Sequence, residues 1–172
     1  MSNLADMNDA PPEVTIEQFT PEHAVAVGKL ISTIQREEFQ IPITLEQQPD
    51  LADIRGVYQT GRGNFWIALS DRRVVGTVSL LDIGNNQVAL RKMFVDPHFR
   101  GARFGTAHKL LQAAFDWCRA NEIAEIYLGT TAKFVAAHRF YEKSGFTEIP
   151  KGVLPEKFPV MTVDTKFYMI KL

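Results

Sequence analysis

The chain has 172 residues, of which 45% are hydrophobic and 23% charged, and its formal net charge is −1. This composition is typical of one globular domain. No apolar run approaches the roughly 20 residues that a membrane-spanning helix needs, so we expect no membrane partner. A sequence pI of about 6.4 argues against a nucleic-acid partner.

Residues 1–12 are polar and acidic and contain no apolar core. We therefore expect a flexible N-terminal tail here, rather than a signal peptide, followed by a single domain over residues 13–172. A cytoplasmic location follows from this expectation.

The cysteine and histidine pattern predicts neither a disulfide nor a metal site. Cys118 is the single cysteine, and it lies on the apolar face of a predicted helix, which favours a buried core thiol over a nucleophile. The four histidines lack metal-ligand spacing such as His-x-x-x-His.

Hydrophobic periodicity divides the chain into strands and helices. The first strand precedes a helix whose start is indicated by the pair Thr20 and Pro21, at the N-cap and first helical positions. Gly145 is predicted to end a later helix as its C-cap. In chain order, the predicted strands cover residues 14–19, 65–69, 74–81, 87–95, 126–130 and 165–172, with a short one near Phe146, and the predicted helices cover residues 20–34, 50–58, 106–118 and 134–144.

This order is an antiparallel meander followed by a strand–helix–strand unit. It predicts an α+β fold in three layers (α/β/α), with a mixed, mostly antiparallel sheet flanked by helices.

The segment 150–164 is a loop of about 15 residues that carries three prolines and several apolar side chains. Its length favours a functional loop, and its apolar content argues against disorder. We interpret it as a wall of the substrate pocket. An arm packed over the sheet edge, or against a second copy in a homodimer, remains an alternative.

The sequence from residue 95 to residue 106 turns from an apolar strand through two glycines into an amphipathic helix. Free backbone N–H groups at the positive end of a helix dipole bind phosphate, and glycine allows a ligand close to the backbone. Residues 91–109 contain five Lys or Arg against one acid. This local excess predicts an anionic ligand.

At these residues the chain resembles the GNAT superfamily of acetyl-CoA-dependent N-acetyltransferases. The strand end VDP at 95–97, Arg100 and Gly105 match the family's pyrophosphate loop, and AHRFYEKSGF at 137–146 matches a second family block. Two positions depart from the family pattern, since Arg103 replaces the central glycine of the loop and Phe134 replaces an asparagine.

The resemblance implies a GNAT-like acyl-CoA N-acyltransferase fold, acetyl-CoA as the acetyl donor and no metal. It assigns Tyr141 as the general acid that protonates the departing sulfur, although a structural helix tyrosine is the alternative. Lys143 is expected to meet a cofactor phosphate or to be an exposed surface lysine. The implied cofactor-binding residues are Met93, Phe94, Val95, Arg100, Gly101, Ala102, Arg103, Phe104, Gly105, Thr106 and Lys143.

The general base is not assigned by the sequence. No acid occurs between Leu90 and Val95 on the pocket strand. The candidates by position or intrinsic pKa are Glu37, Glu38, Asp82 and His138, and a water chain could also serve.

The predicted function is direct acetyl transfer from acetyl-CoA to a primary amine of a small metabolite. A protein lysine or N-terminus as acceptor, and a non-catalytic acyl-CoA-binding module, are the alternatives.

Overall fold

The structure is a computed structural model, and it describes residues 10–172. Most of the predicted N-terminal tail therefore lies outside the described residues. Residues 10–12, at its end, carry no helix or strand.

A seven-stranded sheet organises the described part of the chain, in the order β1-β2-β3-β4-β5-β7-β6. All neighbouring strands are antiparallel except β4 and β5, which are parallel. The strands are β1 (Thr15–Gln18), β2 (Asn64–Ser70), β3 (Arg73–Asp82), β4 (Gln87–Val95), β5 (Glu125–Thr130), β6 (Thr147–Ile149) and β7 (Lys166–Lys171).

Helices cover both faces of this sheet. They are α1 (Ala24–Thr33), α2 (Pro49–Ala52), α3 (Ile54–Val57), α4 (Thr106–Ala120) and α5 (Val135–Lys143). Apolar side chains of α4 and α5 join one core cluster, and those of α1, α2 and α3 join a second cluster on the other face. The predicted fold class, a mixed sheet in three α/β/α layers, is confirmed.

Helix α4 shows how the apolar spacing builds a layer. Ala114 lies four and three residues after Leu110 and Leu111, Cys118 lies four residues after Ala114, and all four are buried against the sheet. Burial of each leucine stabilises the fold by about 1.5–3 kcal/mol. The prediction that Cys118 is a core thiol is confirmed, and burial raises its pKa to about 12.

Two predicted helices differ in detail. Thr20 does not cap the first helix, because its hydroxyl donates to the Glu22 side chain and the first turn is a 3-10 turn. The predicted helix over residues 50–58 is two short helices. Asp53 leaves the helical conformation between them and its carboxylate accepts a hydrogen bond from the Gly56 N–H at 3.0 Å.

A β-bulge in β4 shapes the middle of the sheet. Thr77 pairs with Phe94 and Ser79 with Arg91, so β4 holds one residue more than β3 between these pairs. Lys92, at the bulge, takes the left-handed conformation with φ of 53°. The Thr77 hydroxyl donates to the Lys92 carbonyl at 2.6 Å, and the Ser79 hydroxyl donates to the Arg91 carbonyl at 2.7 Å. These hydroxyls satisfy carbonyls that the bulge removes from regular pairing.

The parallel strands β4 and β5 separate after Ala89, so the bulged part of β4 is not paired with β5. They pair only over residues 87–89 of β4 and 125–127 of β5. The carboxyl-terminal halves of the two strands therefore diverge, and an opening forms between them. Such an opening at the carboxyl ends of strands is a common ligand site.

Candidate active site

A cavity of about 850 Å³ extends from the opening between β4 and β5. It is bounded by the turn after α1, a π-helical turn over Ile34–Glu38, and by the bulged part of β4 and the end of β5. The N-termini of α4 and α5 and residues 158–164 complete the lining. Its size falls in the usual range for small-molecule and cofactor sites.

The N-terminus of α4 forms one end of the cavity, where the phosphate loop (residues 100–106) meets the helix. Gly105 takes the left-handed conformation with φ of 63°, and a Cβ on Gly101 or Gly105 would have no atom within 4 Å. The N–H groups of Gly101 and Ala102 donate to no other group of residues 10–172. The Thr106 hydroxyl is buried and likewise without a hydrogen-bond partner in that range. These open donors suit an anionic group with several acceptor oxygens.

Most of the residues that the sequence predicts for the cofactor lie around this cavity. Arg103 and Phe104 are the exceptions, because the Arg103 guanidinium carbon lies 5.9 Å from the Phe104 ring centroid and Phe104 packs on Phe99 outside the lining. The predicted residues that line the cavity are Met93, Phe94, Val95, Arg100, Gly101, Ala102, Gly105, Thr106 and Lys143.

The Arg100 side chain is held by neighbours on two elements. Its Nε donates to the Val95 carbonyl at 2.9 Å, and its Nη2 donates to Glu38 Oε2 at 2.8 Å. A second contact joins Arg100 Nη1 to the other Glu38 oxygen. The guanidinium therefore ties the phosphate loop to the turn after α1.

A buried polar network, which the sequence analysis missed, lies behind the bulge. Lys92 Nζ donates to Gln48 Oε1 at 2.7 Å and lies 3.4 Å from an oxygen of Asp50. Gln48 and Gln35 exchange hydrogen bonds at 2.9 and 3.1 Å, and the Tyr58 hydroxyl donates to Asp50 at 2.5 Å. Burial lowers the pKa of Lys92 and raises that of Tyr58. The network fixes the Lys92 side chain against the layer that contains α2 and α3.

Arg91, next to Lys92, has a different environment. Its guanidinium carbon lies 5.9 Å from the Tyr58 ring centroid, and its Nη2 donates to the Met161 thioether sulfur at 3.3 Å. Arg91 also lines the cavity. The side chain thus bridges β4 and the segment 150–164.

Tyr141, the predicted general acid, lines the same cavity from α5. Its ring packs with Phe140, Phe146 and Tyr168 at centroid distances of 5.8, 5.6 and 6.1 Å, and the residue is 6% exposed. Its hydroxyl makes no hydrogen bond to the described part of the chain. Burial raises its pKa, so the phenol keeps its proton at neutral pH.

Of the four candidate bases, only Glu38 lines the cavity, and both its oxygens contact Arg100. Glu37 is exposed and outside the lining. Asp82 accepts hydrogen bonds from the N–H groups of Arg62 and Gly84 at the end of β3, which holds its pKa below the usual range. None of these three carboxylates is therefore both in the cavity and free of a hydrogen-bonding or ionic partner among the described residues.

His138, the fourth candidate, is buried and its Nε2 lies 2.9 Å from the Thr131 carbonyl. Asp164, which the sequence analysis did not consider, does line the cavity. Its Oδ2 accepts from the Met161 N–H at 2.9 Å, and burial raises its pKa.

The segment 150–164 shows both features that the sequence left open. Phe158, Met161 and Val163 line the cavity. Phe158 also packs on Phe167 of β7, with ring centroids 6.3 Å apart. The segment is therefore both a cavity wall and a cover over the sheet.

Residues 10–172 hold neither a metal-binding cluster nor a membrane-spanning helix. No cluster of three or more His, Cys, Asp or Glu is arranged to hold a metal ion. In the same range, the helices are all too short or too polar to cross a membrane.

The fold and the cavity are those of an acyltransferase class, and comparison with known proteins identifies the family. The model of the acetyltransferase (GNAT) family matches residues 29–146. Because this match covers more than half of the chain, the chain belongs to the GNAT acetyltransferase family.

Relatives support this assignment. A GNAT-family acetyltransferase from Staphylococcus aureus Mu50 is 38% identical, with a TM-score of 0.88 over 92% of this chain and 98% of that chain. N-acetylaspartate synthetase of Danio rerio is 39% identical over 102 residues, which is 58% of this chain and 36% of that protein. The matched region thus spans little more than a third of that relative.

A more distant structure shares the fold. The PaiA N-acetyltransferase of Thermoplasma acidophilum, solved in complex with coenzyme A, is 14% identical, with a TM-score of 0.72 over 93% of this chain and 99% of that chain.

Proposed function

We propose that the chain transfers an acetyl group from acetyl-CoA directly to a primary amine of a small molecule. The observation that carries the proposal is the Tyr141 hydroxyl, which lacks a partner in the described chain and lies in the same cavity as the open donors of the phosphate loop. A direct transfer needs no nucleophile from the protein. The buried Cys118, whose pKa is raised, does not line the cavity.

The residues around the phosphate loop fit the coenzyme A diphosphate. The N–H groups of Gly101 and Ala102, the Thr106 hydroxyl and the first-turn amides of α4 would donate to its oxygens. β4 pairs with β5 only over residues 87–89, so we expect the amides of Met93 and Val95 to be available to the pantetheine arm and the acetyl carbonyl.

In the proposed reaction, the neutral amine attacks the acetyl carbonyl, a carbon–nitrogen bond forms and the carbon–sulfur bond breaks. Tyr141 donates its proton to the departing sulfur. The amine proton leaves to a base. We assign this role to Asp164, because it lines the cavity and no Lys or Arg nitrogen of residues 10–172 lies within 4.0 Å of its carboxylate.

A small acceptor is favoured because Phe158, Met161 and Val163 of the segment 150–164 form an apolar wall of the cavity. The name of the Danio rerio relative also indicates a small amine. A protein lysine or N-terminus is the second candidate acceptor. A non-catalytic acyl-CoA-binding role is favoured only by Arg103 and Phe134, the two departures from the family pattern.

The test is release of coenzyme A thiol from acetyl-CoA in the presence of a panel of small amines and amine-bearing peptides, with the acetylated product identified by mass. We expect amine-dependent thiol release with small amines. Release only with peptides would assign a protein acceptor, and tight coenzyme A binding without release would assign a non-catalytic module.

A further inference from the structure

We propose that the acceptor is an amino carboxylate, and that Arg91 binds its carboxylate. This inference rests on the proposed function and adds the chemical class of the acceptor.

The first observation is that Arg91 makes no ion pair at contact distance with any of residues 10–172. Two other cations of the cavity are each held by a carboxylate, since Lys92 lies against Asp50 and Arg100 against Glu38. In contrast, no carboxylate oxygen of the described residues lies within 4.0 Å of the Arg91 guanidinium. Its neighbours are a thioether and an aromatic ring.

The second observation is the position of this charge. An arginine side chain cannot lose its proton in a protein, and a partly buried charge is costly when it is unpaired. The planar guanidinium also matches a carboxylate in a two-point contact. A carboxylate that enters the cavity would therefore be bound where Arg91 lines it.

The third observation concerns the spacing of opposite charges. Arg91 Nη2 donates to the Met161 sulfur at 3.3 Å, and Asp164 Oδ2 accepts from the Met161 N–H at 2.9 Å. The two charged groups are thus one methionine side chain apart on the same cavity wall. An amino carboxylate carries charges of both signs, so its carboxylate can lie at Arg91 and its amine near Asp164.

The bulge of β4 places Arg91 and Lys92 against the same layer of helices, where Asp50 pairs with Lys92 and not with Arg91. Arg91 and Lys92 both contact residues of the helix layer formed by α2 and α3 and the turns around them, Tyr58 for Arg91 and Asp50 for Lys92. Asp50 is occupied by Lys92 and by the Tyr58 hydroxyl. Both contacts are made by the same oxygen, Oδ2, and neither oxygen of Asp50 lies within 4.0 Å of the Arg91 guanidinium, so Arg91 is left for a ligand.

The experiment compares acceptors that differ in a single group, namely amino acids and their carboxamides, with wild type and Arg91→Gln. We expect wild-type kcat/KM to be about 10- to 100-fold higher for the carboxylate, as for other charge-assisted hydrogen bonds. Arg91→Gln should remove this preference. Its kcat/KM for the carboxamide should stay within about threefold of the wild-type value. Arg139→Gln, an exposed arginine outside the cavity, is the matched control and should keep the preference.

Arg91→Lys keeps the charge without the planar fork, and it should retain only part of the preference. Arg91→Lys replaces Arg91→Gln in the experiment if Arg91→Gln does not fold. Binding of coenzyme A shows whether each variant is folded. Equal kcat/KM for carboxylates and carboxamides in wild type would overturn the inference. An equal loss for both in the Arg91 variants would overturn it as well.

A binding measurement tests the role of Arg91 even if the proposed acetyl transfer does not occur. If no amine is acetylated, calorimetric titration of the amino acids into wild type saturated with coenzyme A decides the inference. Binding of the carboxylate form that is lost in the Arg91 variants supports it. No binding, or binding equal to that of the carboxamide, overturns it.

Discussion

Arg100 and Glu38 form a two-point ion pair between parts of the chain that are 62 residues apart. The pair joins the phosphate loop to the turn after α1, and the two side chains are 38% and 29% exposed. A carboxylate is thus held beside the proposed diphosphate site, and it neutralises a guanidinium that would otherwise face the phosphates.

We therefore expect Glu38→Gln to lower the Kd of acetyl-CoA, by about two- to tenfold at low salt. The substitution removes a negative charge and frees Arg100 to contact the diphosphate, and the gain should shrink at about 1 M salt because screening is strong there. Arg100→Gln should raise the Kd, since it leaves Glu38 unpaired near the phosphates. Calorimetric titrations at two salt concentrations measure both effects.

A higher Kd of acetyl-CoA in Glu38→Gln would contradict this account of the ion pair. An unchanged Kd together with a kcat loss of about 100-fold would instead assign Glu38 as the general base.

Gly105→Val should abolish coenzyme A binding. The added side chain would occupy the open space before α4, and a β-branched residue is also strained at a φ of 63°. Gly84→Val is the matched control, because Gly84 also has positive φ but lies outside the cavity. Both variants should lose a similar amount of stability, about 1–3 kcal/mol, in thermal melts.

In calorimetric titrations with coenzyme A, only Gly105→Val should lose binding. If Gly84→Val loses it too, backbone strain rather than obstruction of the phosphate loop explains the loss.

The strand–loop–helix unit and the second motif could be predicted from the sequence because their signals are local. The strand Gln87–Val95 has the predicted bounds, and the apolar spacing of α4 has the predicted buried face. Gly145 has positive φ at the end of α5, as its prediction as a C-cap requires. Apolar periodicity and glycine conformation are both readable from a few consecutive residues.

The acceptor side could not be predicted because its contacts join distant parts of the chain. Lys92 meets Gln48, 44 residues earlier, and Arg91 meets Met161, 70 residues later. The bulge that arranges both cations shows in the sequence only as two polar residues in an apolar strand. Asp164 ends the segment 150–164, where the apolar residues predict a pocket wall but nothing in the local sequence marks the carboxylate as part of the cavity.

Phe158→Ala should raise the KM for the amine several-fold and leave the KM for acetyl-CoA nearly unchanged, because Phe158 lines the cavity where we propose that the amine binds. The variant should also lose about 3–5 kcal/mol of stability, since the ring is buried on Phe167. Leu154→Ala is the control from the same segment and the same apolar cluster, but Leu154 does not line the cavity.

Steady-state kinetics below the melting temperature of both variants separate the two effects. Equal KM changes for both substrates, or loss of a dimer on a sizing column, would support a packing or interface role for the segment 150–164.

Asp164→Asn should change the pH dependence of stability. Burial raises the pKa of Asp164 in the folded protein above its unfolded value of about 3.9, so the folded state binds more protons between the two values. The contribution of this group is therefore full below about pH 4 and is lost as the pH rises through the folded pKa. Asparagine does not titrate, so the Tm of the variant minus that of wild type should become more positive from pH 4 to pH 7.

Asp116→Asn on the exposed face of α4 is the control for this series, because its carboxylate lies in water. A Tm difference for Asp164→Asn that is flat or more negative towards pH 7 would contradict the predicted sign.

Tyr141→Phe should lower kcat by about 10²-fold and leave the Kd of coenzyme A nearly unchanged. The hydroxyl would act only as the carbon–sulfur bond breaks, so its loss affects the transition state more than binding. General acids contribute about 10²–10⁴ in rate, and a thiolate leaves readily, which places the effect at the low end. The loss should shrink at high pH, where the thiolate needs less protonation.

Tyr168→Phe is the matched control for Tyr141→Phe. Tyr168 packs on the Tyr141 ring, but its own hydroxyl donates to Glu142 at 2.9 Å and the residue does not line the cavity. Its removal should cost stability and not kcat. Wild-type turnover in Tyr141→Phe, or equal kcat losses in both variants, would assign Tyr141 a packing role in the aromatic cluster instead of proton donation to the sulfur.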